Sequence, residues 1–527
     1  MLAVACGGTS PGPKGPKDSA EPVDTATTPE DTAPTSVDDT GTPAPVVFHA
    51  SLRKPDGTIG LVRWLDVEAN EAVRLDLSWS DGSHGGAKSE SELATVQSLP
   101  ILGLRPARTY EVTITATAED GRSSEVVLEL VSDDLPAVWP ELDVRAHDKA
   151  RMEPGLTLMS IFGPDGELYA AVYDEDLEVV WFDDRYWFDA RRTATNGALF
   201  GLTGWGVSEV HFTGDEVQSW ARTGVPGAIP IVYDLHHEAY PMDDGSVLTL
   251  SSATRNVLAY PTSYLDPASS MAPGRVKTPV VYQFAADGST LMDVDLGDVL
   301  DLKRVGFDAL SEDNGASDWG HANAVIPHPD GGVLVSVRHQ DCVVKLNAAG
   351  ELEWIAGNPE GWAAEFEPYL LEQTTEFDWF YHPHAPEWDN GRMLLFDNHN
   401  WGGTPYGRPP ATEPRSSVVE VEIDPVAMTI TLLNRWSDFG PGTPIFSKAY
   451  GDADRQPQTG NILAQFGLVI DEDGFTADTM VGAEENLLRI IEFDPADSAN
   501  PMLDMRLHGG FSGARVERIE SLESLVD

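Results

Sequence analysis

Along residues 135–527 one phrase of apolar and polar positions recurs: a polar turn, a mostly apolar run, then a second run that ends in polar residues. Pro164-Asp165-Gly166 opens the first unit and Leu177 to Trp181 closes it. Asn196-Gly197 precedes Val210-His211-Phe212, and Asp244-Gly245 precedes Val280 to Phe284. Asp330-Gly331 precedes Val343 to Leu346, Asn390-Gly391 precedes Ser417 to Val421, and Thr459-Gly460 precedes Leu488 to Phe493. Asp-Gly and Asn-Gly turns join antiparallel strands because their residues accept positive φ. Six such units of uneven spacing predict an all-β fold, a six-bladed β-propeller with loops of varying length inserted. A β-helix or a pair of packed sandwiches is the competing arrangement of the same strands.

Nearer the N-terminus the pattern changes. Val73 to Trp79 and Tyr110 to Ala116 alternate apolar and polar residues, the period of half-buried antiparallel strands. Residues 46–134 are therefore expected to form a small fibronectin III/Ig-like β-sandwich that serves as packing or spacer. Leu104 to Tyr110 resembles the L-x-P-x-T-x-Y corner of fibronectin type III domains, with Thr109 one place late. Residues 7–45 hold Thr, Pro, Asp, Ser and Gly and almost no large apolar side chains. Too little apolar surface is available there to offset the entropy of ordering, which predicts a disordered acidic tether. The three expected parts are thus 1–45, 46–134 and the propeller at 135–527.

Composition sharpens this picture. Fourteen Trp, 48 Gly and 38 Pro suit short strands and many turns. The net charge of −52 opposes nucleic acid and anionic membrane surfaces, so any anion site must carry its own cations. The two cysteines, Cys6 and Cys342, sit in a tail and in a strand-like run, which argues against a disulfide between them. Met1 to Gly8 reads as the end of a lipoprotein signal, with Cys6 as the lipid acceptor, although no charged or full apolar stretch precedes it. The expectation is a cell-envelope protein, periplasmic or on the outer membrane, that meets membrane only through this anchor.

Five of the 13 histidines fall in three short stretches: His236-His237-Glu238, His321-Ala322-Asn323 and His382-Pro383-His384. Each shortly precedes one of the turns, at the start of an innermost propeller strand, so the three stretches are expected to converge at one mouth of a central channel. Arg338, in Val335 to Gln340, is expected late in the strand that follows His321, as the cation of an anion site. The histidines with Glu238 would equally serve a metal-dependent hydrolase or lactonase, and a non-catalytic envelope propeller is a third reading.

Taken together, Asp318 to Val325, Val335 to Gln340, His384 to Trp388, Leu394 to Asn398 and the His236-His237-Glu238 stretch resemble the bacterial aryl-sulfate sulfotransferases. That family shows D-W-x-H-x-N-S, S-S-R-H-Q, a later Q-H, F-D-N and H-H-D in the same order. The resemblance spans residues 140–500 and implies a six-bladed propeller preceded by a small β-domain. It also implies transfer of a sulfo group from an aryl sulfate to a phenol through a sulfohistidine, with no nucleotide donor, cofactor or metal. On this resemblance His321 and Arg338 are catalytic, and Asn323 hydrogen-bonds the sulfo group. The nucleophile is His384, with His382 as the alternative that matches the register of His321. The first histidine is His236, which shares that register, or else His237. Ala324 and Pro383 depart from the family's Ser and Gln. Trp319, Tyr381 and Trp401 are candidate walls of an aryl pocket, and protonated histidines beside Arg338 would clamp the sulfo oxygens.

Overall fold

The computed structural model describes residues 44–523, apart from 56, 58, 223, 401–414, 442 and 471–485. Cys6, nearly all of the expected tether and Trp401 therefore lie outside the described residues. Within them the chain is all-β, with no α-helix and three short 3-10 turns.

Strands Phe48–Arg53, Arg63–Ser80, Gly85–Ile101, Thr109–Ala118 and Ser123–Val131 form one five-stranded sheet. The long strand Arg63–Ser80 changes neighbours midway. Its first half pairs with Phe48–Arg53 and its second half with Thr109–Ala118, while Gly85–Ile101 flanks both. The register shifts between Glu68 and Val73. No Gly or Pro lies between those residues, so the strand passes through an irregularity where a sandwich would have a turn. Leu65, Val67, Leu75, Leu77, Leu99, Tyr110 and Ile114 share one core. The Tyr110 hydroxyl accepts the backbone N–H of Arg105 at 2.8 Å, which pins the turn that leads into its strand.

Six further sheets of four to six strands follow. One edge strand of each faces a common axis: β1 Asp189–Arg192, β2 His236–Pro241, β3 Ala322–Pro327, β4 Pro383–Asp389, β5 Asp452–Arg455 and β6 Val516–Ile519. Each of these touches the next from β1 to β6, and Leu156–Phe162, which pairs with β6 and touches β1, closes the circle. The result is a β-propeller-like ring. The recurrent turns hold Gly245 at φ 79° and Gly331 at φ 91°, a conformation that favours glycine. In five sheets this turn follows the axial strand. In the first sheet it joins the second and third strands, because β6 supplies the axial strand from the far end of the chain (Val516 opposite Met159). A second stitch runs the other way, with Glu141–His147 pairing with Leu503–His508.

The N-terminal sheet is tied to the ring. Ile59–Gly60 pairs with the outer strand Val179–Asp183, and a Cβ on Gly60 would collide with the Phe182 ring. Arg105 bridges Asp174 at 2.6 Å and Asp176 at 2.7 Å.

Candidate active site

The ring places the starts of all six axial strands around one small cavity. Its walls are Asp189, His237, Asn323, His384, Ala385, Gly451 and Arg515, with Phe188, Tyr450 and Ala514 beside them. β2, β3 and β4 each carry a register shift next to their histidine stretch, after His236, Ala322 and His384. His237, His321 and His382 hold positive φ (65°, 45° and 53°), a conformation L-residues adopt at a cost. Bulge and left-handed turn together re-aim side chains that a regular strand would send to alternate faces.

His384 is nine-tenths buried and has its Nδ1 2.6 Å from Asn398 Oδ1 and 3.1 Å from the His382 carbonyl. Asn398 Nδ2 donates to the carbonyls of Ser447 and Tyr450 at 2.8 and 2.7 Å, which fixes the amide orientation. Nδ1 of His384 must therefore carry the proton, and Nε2 has no hydrogen-bond partner among the described residues. Burial, then the nearby Arg338, hold this imidazole well below its ordinary range, so it is neutral.

His237 rather than His236 lines the cavity. The His236 ring meets it edge-on, with the two Nδ1 atoms 2.8 Å apart. Burial pushes His236 down to about 3 and His237 well below its usual value. His321 contacts the His237 ring at 5.0 Å and holds Asp318 Oδ2 at 2.5 Å through its Nδ1. Although burial opposes it, the charge and hydrogen bond of His321 keep Asp318 ionised.

Arg338 is not in the strand, which ends at Val337; it opens a 3-10 turn, Arg338–Gln340. Its backbone N–H reaches the His321 carbonyl, so the turn lies beside that histidine. Nη1 donates to His339 Nε2 at 2.5 Å and lies 3.9 Å from Asp308 Oδ2. The Nε and Nη2 edge has no hydrogen bond among the described residues. Lys448, half-buried and also without an ion pair there, adds a second cation whose proton affinity is lowered by burial and then by Arg338.

Asn323 donates its Nδ2 to the Pro383 carbonyl at 2.9 Å and leaves Oδ1 buried without a partner. His382 is fully buried and outside the cavity wall, with its Nδ1 on Asp341 at 2.9 Å. Trp319 and Tyr381 are packed in the core, and Trp319 Nε1 donates to the Arg304 carbonyl. The aromatic rings at the cavity are Phe188 and Tyr450, which the sequence did not single out. Of the histidines near Arg338, His237 and His339 are held well below their usual range by burial and do not supply the protonated clamp, while His384 is neutral as a nucleophile must be. Glu238 is no free ligand either. It is buried against Arg191 at 2.6 Å and Arg515 at 2.5 Å, and its second oxygen accepts the Val325 N–H.

A model of the arylsulfotransferase (ASST) family matches residues 141–510. The chain belongs to the arylsulfotransferase family. Membership supports aryl sulfotransferase activity in general, and with it small aryl sulfates and phenols as substrates. No curated protein matches. Among solved structures, a Bacteroides caccae protein of unknown function is 12% identical, covers 70% of this chain and 100% of its own, and has a TM-score of 0.39. Virginiamycin B lyase from Staphylococcus aureus is 8% identical with 68% and 88% covered and a TM-score of 0.30. A streptogramin B lyase is 9% identical with 71% and 99% covered and a TM-score of 0.31.

Proposed function

We propose that this arylsulfotransferase moves a sulfo group from an aryl sulfate to a phenol through a covalent sulfohistidine at His384. The observation that carries the reading is the state of that imidazole: neutral, with its proton held at Nδ1 and an unengaged Nε2 beside the cavity. An uncharged imidazole nitrogen is a competent nucleophile and leaving group. Nε2 attacks sulfur, the sulfur–oxygen bond to the donor ring breaks, and the departing phenolate takes a proton from His321. An acceptor phenol then attacks the sulfur, gives its proton to His321, and the nitrogen–sulfur bond returns its electrons to His384. Asp318 on Nδ1 orients His321 for both proton transfers. The free edge of Arg338 grips two sulfo oxygens. His236 and His237 meet through their Nδ1 atoms, and in this reading His237, at the cavity, turns its Nε2 toward the sulfo group.

The metal-hydrolase alternative is weaker. Both groups of residues placed to hold an ion, Asp308-His339-His382 and Asp318-His321-His339, include His339. Its Nδ1 faces the Asp318 carbonyl at 2.6 Å and so is protonated, while its Nε2 accepts from Arg338. A metal would have to displace the guanidinium.

The same reading takes the ring as a six-bladed propeller at 135–527, the N-terminal sheet at 46–134 as a fibronectin-like spacer, and Cys6 as a lipid anchor to the cell envelope. The deciding assay follows nitrophenol release from 4-nitrophenyl sulfate with and without phenol. Release that needs the acceptor is expected; equal release without it means hydrolysis and overturns the proposal. Fatty-acid labelling that requires Cys6 tests the anchor.

A further inference from the structure

We propose that Asp308 is a specificity-determining residue that screens anions by charge, so that singly charged sulfate monoesters are not displaced by doubly charged inorganic sulfate. The inference rests on the reading of Arg338 as the cation of the sulfo site. Asp308 lies outside every strand, in the turns between Leu296–Asp298 and Glu312–Asp313, and holds φ 67°. Its Oδ2 stands 3.9 Å from Arg338 Nη1, the one carboxylate within ion-pair distance of that guanidinium among the described residues. The side chain is 23% exposed, so water and small anions reach it.

Asp308 is also held in place. Ser311 Oγ donates to its Oδ1 at 3.3 Å, and Oδ2 lies 3.6 Å from His382 Nε2, which has no hydrogen-bond partner of its own. His382 is fixed in turn by Asp341, whose Oδ1 accepts its backbone N–H at 2.8 Å and its Nδ1–H at 2.9 Å. A negative charge is thus set beside the guanidinium that is to meet a negative ligand.

Electrostatics gives this placement a purpose. Attraction to Arg338 and Lys448 scales with ligand charge, so those two cations alone would favour a dianion over a monoanion. Sulfate monoesters carry one charge, and inorganic sulfate carries two. Asp308 opposes the cations with a repulsion that scales the same way, and so penalises the dianion twice over. Discrimination then falls to the ring and the ester oxygen, which only the monoester offers. This is specificity by an element that repels the competitor.

Calorimetric titration of the purified protein with inorganic sulfate and with methyl sulfate tests the screen without any turnover. If Asp308→Asn tightens methyl sulfate by a factor of about 3–10, it should tighten inorganic sulfate by roughly the square of that factor, about 10–100. Asp308→Glu, which keeps the charge, should stay near wild type, and Asp308→Ser should follow the Asn variant. Thermal melts confirm that each variant is folded. Tightening that is absent, or equal for the two anions, overturns the proposal. So does a Glu variant that behaves like the Asn variant. Loss of acceptor-dependent transfer in the wild type would sink the sulfotransferase reading, while the binding ratio would still report on the charge screen.

Discussion

Two groups of polar side chains meet along the axis of the ring, and they are built on opposite terms. In one, Asp189, Arg191, Glu238, Asp452 and Arg515 are matched to one another. Arg515 bonds Asp189 at 2.9 Å and Glu238 at 2.5 Å, and backbone N–H groups of Ala239, Val325 and Val516 satisfy the remaining carboxylate oxygens. Nearby, burial and the carboxylates of Asp452 and Glu387 raise Asp454 well above its ordinary range. In the other group the valences are left open: Nε2 of His384, Nε and Nη2 of Arg338, and Oδ1 of Asn323. A buried polar atom without a partner costs free energy. The paired cluster stabilises the ring, while the open one keeps a lone pair on His384 and unengaged N–H groups on Arg338 that a bound sulfo group would meet; Asn323 Oδ1, an acceptor, calls for a donor instead.

The comparison breaks first at its most reactive atom. His384→Ala should lower nitrophenol release from 4-nitrophenyl sulfate by about 10³-fold or more and abolish the mass increase of one sulfo group on the intact protein. Full turnover by that variant would refute the nucleophile. Arg338→Lys should lower kcat/KM by about 10²-fold, since a point charge cannot reproduce a planar two-pronged grip. In the paired cluster the effect moves to stability. Glu238→Ala leaves two buried arginines, Arg191 and Arg515, to share Asp189 and should cost about 3 kcal/mol, read by chemical denaturation. An Ala variant of Glu238 with wild-type stability would show that the cluster does not hold the ring.

The pH dependence of stability tests the open group as a whole. His236 is held at about 3 in the fold against about 6.5 unfolded, and His237, His339 and His384 are shifted in the same direction. Between those values the unfolded chain binds protons that the folded chain refuses. Stability should therefore fall as pH drops below about 6.5, by up to about 1.4 kcal/mol per pH unit for each such histidine. His399, raised through its contact with Asp397, works in the opposite direction. Urea melts at pH 7 and pH 5 measure the balance. NMR titration of the ring protons separates the two: rings of His236 and His384 still neutral at pH 5 are expected, and rings that titrate near 6.5 would show that they are solvated.

The recurrent turns were legible because each is local: a polar residue or two, a glycine and an apolar run. The convergence of three histidine stretches was legible too, since equal positions in successive units face one axis. Which ring faces inward was not. The register shift after His236 inserts residues that simple alternation does not count, and His237 takes the cavity position. Arg338 left the expected strand because its strand stops at Val337 and turns. Phe188, Tyr450, Asp308 and Arg515 reach the site only through closure of the ring or through irregular turns, so no periodic pattern marks them. The protonated clamp differs for a physical reason: sequence supplies the titratable group, and only the folded surroundings supply its dielectric.

The axial strand Val516–Ile519 has a consequence for the order of assembly. It lies beyond residue 510, yet it is the inner member of the first sheet of the ring. During synthesis, Leu156–Phe162 must wait with an unpaired edge until about 350 further residues have been added and Val516–Ile519 has emerged from the ribosome. Nascent chains stalled before Val516 should remain open to protease along that edge, and extension past Ile519 should close the circle in one step.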